Sequence, residues 1–210
     1  MRGTARITEL AVELGSGPRW AMVRSHFGIS AFGVNAYVAD EPSVAVIGEH
    51  DEVGHSSRHH EELYFVADGH AKFTVDGDEI DAPAGTFVHA TPGTKRGAIA
   101  VAPETTIVAF GAKPGVPHEV SPWEEIFVAM GYLKLGEEEK GRQAMAAAIA
   151  VRPNDWQGQY NAACFESLSG YKEATITHLR RAIELDPKAR EFAAEDSDFD
   201  WIRDDAEFPA

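Results

Sequence analysis

The chain of 210 residues has one cysteine, Cys164, so no disulfide can close within it. Such sparing use fits a reducing compartment, and a cytoplasmic location is expected. Cys164 lies in YNAACFESL, on the inner face of an expected helix, and reads as a packed thiol rather than a nucleophile. No run of 18 apolar residues occurs, so no membrane-spanning helix is expected. The opening MRGTARITELAVELGSG lacks the long apolar stretch of a signal peptide. Basic residues are few, 19 Lys and Arg against 34 Asp and Glu, for a formal charge of -15. The acidic excess runs through both halves instead of forming a tail. A field of that sign repels phosphate backbones and anionic headgroups, so neither nucleic acid nor a membrane surface is an expected partner. Apolar residues make up 44% of the chain, enough for a real core.

Two halves follow different periods. The first carries short stretches rich in Val, Ile, Phe and Tyr: FGVNAYVA, SVAVIGE, ELYFVA, AKFTVDG, TFVHAT, GAIAVA and TTIVAFGA. Gly, Pro and Asp punctuate them, and Asp76-Gly77 is a tight-hairpin signal. Many short strands at close spacing predict a sandwich or barrel. The segment KPGVPHEVSP, residues 113–122, holds three prolines and reads as a stiff connector. Beyond it, apolar residues recur at three- and four-residue steps, as helices require. A β domain over 1–118 and an α-helical domain over 119–210 are therefore expected.

The helical half repeats. AIAVRP at 148–153 returns as AIELDP at 182–187, Gly136 returns as Gly170, and Ala129 as Ala163. All three matches share a 34-residue shift. They resemble tetratricopeptide repeats, helix–turn–helix units of this length. Glu166 departs from that pattern, standing where the repeat often has an aromatic. The tail AREFAAEDSDFDWIRDDAEF is expected to add a capping helix, with Phe192, Phe199, Trp201 and Ile202 covering the open end.

In the first half, HHEELYFVADG places Glu62 seven positions before Gly69, and Gly85 to Gly93 enclose a short strand and a Pro-Gly turn. With the hairpin at Asp76-Gly77 between them, these segments resemble the two motifs of the cupin superfamily over residues 28–112. The resemblance implies a β jelly-roll barrel. It also implies a centre built from two histidines and a glutamate of the first motif, with a third histidine after the second. That donor set suits a divalent transition metal. In this chain one register offers His55 and Ser57 for the histidine pair, and another offers Ser56 and Arg58. A third, with a longer loop, offers His50 and Glu52 and is the alignment adopted. The late histidine is replaced by Arg96, a permanent cation that cannot ligate a metal. Side chains alternate along a strand, so if Glu62 points inward, His60 and Tyr64 do too.

The expected pocket is thus His50, Glu52, His60, Glu62, Tyr64 and Arg96. The expected function is small-molecule binding by a cupin barrel with a degenerate metal motif. Its ligand would be anionic or polar, with Arg96 as bidentate anchor. The alternative is a metal-dependent cupin enzyme, an oxygenase, isomerase or hydrolase, using His50, Glu52 and Glu62. A metal-free variant would use Glu62 and His60 for acid–base work; in a further alternative Arg96 and Glu62 form an internal ion pair that plugs the barrel, and the protein acts only through its helices. The residues leave open whether the protein is an enzyme. The helices are expected to offer a protein partner a surface, and pairing through an apolar strand such as ELYFVA is expected to give a homodimer.

Overall fold

The computed structural model describes residues 3–53, 59–118 and 120–209. The chain divides into two units, Met1–Val120 and Ser121–Ala210.

The first unit is built from β1 (Ala11–Val12), β2 (Arg19–Ala21), β3 (Gly33–Ala39), β4 (Ala45–His50), β5 (Glu61–Asp68), β6 (His70–Val75), β7 (Asp78–Pro83), β8 (Phe87–Ala90), β9 (Arg96–Ala100) and β10 (Thr105–Ala112). Two short helices, α1 (Ile7–Leu10) and α2 (Val23–Phe27), accompany them. One sheet runs β1-β2-β3-β10-β5-β8 and the other β4-β9-β6-β7. From β3 onward, every connection except the β6–β7 hairpin carries the chain to the other sheet. That alternation is the path of a jelly roll, which buries one face of each sheet against the other.

Strand parity shows how the core forms. Tyr64 and Val66 of β5 point inward with Ile107 of β10, and meet Phe73, Ala98 and Ile47 of the opposite sheet. Outside the larger sheet, Leu10 packs with Ala21 and Ala36, so the N-terminal segment covers that end of its outer face. The Asp76-Gly77 turn joins β6 to β7 with Val75 opposite Asp78. Both turn residues have positive φ, 48° and 93°, as a two-residue hairpin requires.

The second unit is a pair of helix hairpins. Helix α3 (Pro122–Lys134) returns as α5 (Trp156–Leu168), and α4 (Glu138–Val151) as α6 (Lys172–Leu185), each shifted by 34 residues. Pro122 opens α3, where its missing N–H costs nothing. Glu166 of α5 is buried, and its carboxylate pairs with the guanidinium of Arg142 on α4. The ring of Tyr171 lies 4.7 Å from that guanidinium.

The tail forms α7 (Lys188–Glu195), followed by a 3-10 turn over Ser197–Phe199 that the Asp196 side chain caps. Phe199 and Ile202 enter the core with Leu179 and Ala163. Phe192 and Trp201 are more than half exposed, yet both reach α5: Phe192 stacks on Trp156 at 5.8 Å, and Trp201 Nε1 donates to Ser167. Cys164 is buried, and burial pushes its thiol well above the ordinary range, which suits packing and not nucleophilic attack.

Gly69 is the tightest point of the β unit. Its φ is 71°, and an added Cβ would stand 2.7 Å from both Cα and Oγ1 of Thr105. Gly69→Ala is expected to destabilise the β unit by about 2–4 kcal/mol through backbone strain plus this clash. Urea unfolding of the variant against the parent measures it, and a loss below about 0.5 kcal/mol would show that β10 yields freely.

Candidate functional site

The two sheets meet in a polar cluster where β4 ends and β9 begins. His50 and Arg96 are cross-strand partners there. Glu62 and Tyr64 reach the same point from β5 of the larger sheet. One oxygen, Glu62 Oε2, collects the contacts. Arg96 Nε donates to it at 3.1 Å, and Arg96 Nη2 donates as well. The Tyr64 hydroxyl donates to it, and His50 Nε2 lies 3.2 Å away. Arg96 Nη1 donates to the Thr94 carbonyl at 2.9 Å. Arg96 is fully buried, so its charge is matched inside the protein.

These contacts set the protonation states. Burial raises the Glu62 carboxyl, but the donors His50, Tyr64 and Arg96 outweigh it and hold the pKa down at about 2. Burial, with the Glu62 charge, pushes the Tyr64 phenol far up, so it remains a donor. Both ring nitrogens of His50 face oxygen acceptors, Nδ1 the Gly48 carbonyl at 2.8 Å and Nε2 Glu62. Only the imidazolium satisfies both. The bond to Glu62 accordingly raises the His50 pKa.

Glu52 completes the cluster from the solvent side. Its Oε1 is 3.8 Å from His50 Nε2, and its Oε2 accepts from the His60 backbone N–H at 3.4 Å. Glu52 has φ 61°, a conformation costly for a residue with a Cβ. His60 precedes the first residue of β5, Glu61, so strand alternation does not govern its side chain. Its ring stands 6.0 Å from that of His118, and what it gives the cluster is a main-chain donor. His50, Glu52, Glu62, Tyr64 and Arg96 converge through their side chains. His55, Ser56, Ser57 and Arg58, which carried the two other registers, lie outside the described residues.

Donor atoms of His50, Glu52 and Glu62 lie within 4.8 Å of one another. The set nevertheless does not fit a divalent cation. The Glu62 oxygen nearest His50 is already surrounded by the guanidinium, the phenol and the imidazole. A carboxylate oxygen has two lone pairs, and a permanent cation in contact with it repels a second. Arg96 is the odd residue of the motif and is expected from the sequence to pair with a ligand. In the folded chain its partners are Glu62, Tyr64 and Thr94.

No protein-family model matches the chain, and no curated protein matches it. Among solved structures, a double-stranded β-helix protein from Klebsiella pneumoniae is 20% identical, with a TM-score of 0.44, over 57% of this chain and 100% of its own. A cupin protein from Bacteroides fragilis is 17% identical, with a TM-score of 0.39, over 57% and 92%. A cupin-superfamily sugar phosphate isomerase from Silicibacter pomeroyi is 20% identical, with a TM-score of 0.38, over 47% and 61%. The likenesses extend over about half of the chain and do not bear on its chemistry. Among the described residues, no helix is long and apolar enough to cross a membrane.

Two outcomes are expected of the cluster. Arg96→Met strands a buried carboxylate and is expected to cost about 3–5 kcal/mol in urea unfolding, whereas Glu62→Leu combined with Arg96→Met recovers most of that loss. Additive losses in the double variant would show that the pair is not coupled. The second outcome concerns acid. The Glu62 pKa falls from 4.5 unfolded to about 2 folded, so its contribution is full above pH 4.5 and disappears as pH drops toward 2. Unfolding free energy measured across this window should fall more steeply in the parent than in Glu62→Gln, and equal slopes would remove the assignment.

Proposed function

We propose that the N-terminal jelly roll is a metal-independent, cupin-type binding module for a small polar molecule. In this reading the ligand enters beside His50 and Glu52. The observation that carries it is the crowding of Glu62 Oε2 by Arg96, Tyr64 and His50. A cation supplied by the chain stands where the resemblance implies a metal-binding histidine. Arg96 and Glu62 then form the fixed floor, and His50, with its side chain 35% exposed, is the positive group that an anionic ligand would meet. Electrostatic preorganisation of this kind lowers the cost of ordering polar groups on binding.

A general-base role for Glu62 is disfavoured by its pKa of about 2, since a useful base titrates near the working pH. The second reading, a metal-dependent enzyme, draws on the 4.8 Å grouping of His50, Glu52 and Glu62. We assign the C-terminal helix pairs to a tetratricopeptide-like role, engaging a protein partner, on the strength of their 34-residue period.

Elemental analysis separates the two readings of the barrel. Protein purified without a histidine tag or chelator is expected to carry well under about 0.1 transition metal per chain, and Arg96→His, which restores an imidazole donor, is expected to gain metal. About one metal per chain in the parent, lost in Glu62→Ala, would establish the metal-dependent reading instead. Thermal shift with small carboxylates then tests the ligand class. A rise in melting temperature that His50→Ala abolishes is expected, and no rise with any carboxylate would remove the anionic case.

A further inference from the structure

A groove of about 530 Å³ lies across the end of the six-stranded sheet where β5 starts and β10 ends. Phe32, Leu63 and Phe110 supply its apolar walls, and Glu61, Glu62 and His89 its polar lining. Leu63 is the cross-strand partner of both Phe110 and His89, so these three side chains stand in a row on one face of the sheet. That face is the reverse of the one carrying Tyr64 into the core, because neighbours along β5 alternate. The volume falls within the range of about 300–1,000 Å³ typical of small-molecule pockets.

The lining charge has one sign. Glu61, on the same face of β5 as Leu63, contributes a carboxylate, and neither Lys nor Arg lines the groove. His89 Nε2 holds Glu61 Oε1 at 2.8 Å, but both side chains are about half exposed, at 52% and 48%. An exposed pair of this kind is readily exchanged for another donor. Gly111 is the cross-strand partner of Glu62, and a Cβ there would stand 3.3 Å from Glu62 Cγ and 3.7 Å from Glu62 Oε1. Both share the face that carries Tyr64 inward, so the carboxylate on the groove's face is that of Glu61. Apolar and aromatic walls beside this carboxylate suit a flat apolar body bearing a cation, and repel an anion of the same shape.

We propose that this groove binds a small aromatic amine. The ring lies against Phe32, Leu63 and Phe110, and the ammonium group pairs with Glu61. The assignment does not rest on the metal-independent reading of the barrel, and metal content does not enter its readout. Three probes of one shape test it on the full chain by calorimetry: tryptamine, tryptophol and indoleacetate, which are cationic, neutral and anionic. Tryptamine is expected to bind best, with at least about a tenfold advantage over indoleacetate. Glu61→Gln should remove most of that advantage and leave tryptophol unchanged. Leu63→Lys, at a position 38% exposed, should weaken tryptamine by about tenfold or more while unfolding as the parent does. Indoleacetate binding as tightly as tryptamine would overturn the proposal, as would no tryptamine binding at millimolar concentration or an unchanged advantage in Glu61→Gln. A doubling of mass in light scattering that Leu63→Lys abolishes would give the groove to a second copy of the chain, and also overturn it.

Discussion

The β unit depends on one buried ion pair. Arg96 and Glu62 come from opposite sheets, and neither could be buried alone. The desolvation cost of each ion is several kcal/mol and is offset only if every polar atom finds a partner. The chain meets that condition by gathering Tyr64, His50 and the Thr94 carbonyl around the pair. Each added donor strengthens the others in a low-dielectric setting. The result is a polar link between sheets that otherwise touch through Tyr64, Val66, Ile107, Phe73 and Ile47. Apolar contacts tolerate small shifts, whereas this pair permits one register of β5 against β9.

The helical unit also holds a buried carboxylate against a guanidinium. Glu166 is buried on α5, and Arg142 of α4 pairs with its Oε1 while bonding Glu138 one turn away and lying over the Tyr171 ring. Lysine would not substitute, because the contacts rely on a planar fork of donors.

What the sequence revealed follows from the range of each signal. The Asp76-Gly77 hairpin and the seven strand-like stretches rest on neighbours within a few residues, and each of those stretches contains or overlaps a strand. The 34-residue period was legible because α3 and α4 are repeated almost whole. Strands β1 and β2, of two and three residues, and the short α1 and α2 give no period long enough to detect. In the tail the apolar spacing signals a helix, and α7 is there; what spacing does not reveal is its end at Asp196, whose side chain caps the next turn. For His60 parity is silent, because it holds only within a strand and β5 starts one residue later. Arg96 was recognisable as the wrong residue for a metal ligand. Its pairing with Glu62 is one of the readings the residues leave open, and only the closed jelly roll, which brings the two sheets together, selects it over pairing with a ligand.

The substitution of a guanidinium for a ligand histidine changes what a site of this kind can be. A metal leaves when its ligands protonate or when a chelator competes, so such a centre is conditional on supply and pH. Arg96 cannot leave and does not titrate in the accessible range. Charge at the sheet junction is therefore fixed as soon as the chain folds, and Glu62 remains ionised down to about pH 2. The cost is exchangeability: with its nitrogens on Glu62, Tyr64 and Thr94, Arg96 is poorly placed to greet a ligand directly. In the proposed binding reading, recognition falls to His50, whose side chain is 35% exposed, with Glu52 beside it. A single buried pair thereby both closes the barrel and determines which of its neighbours are free to act.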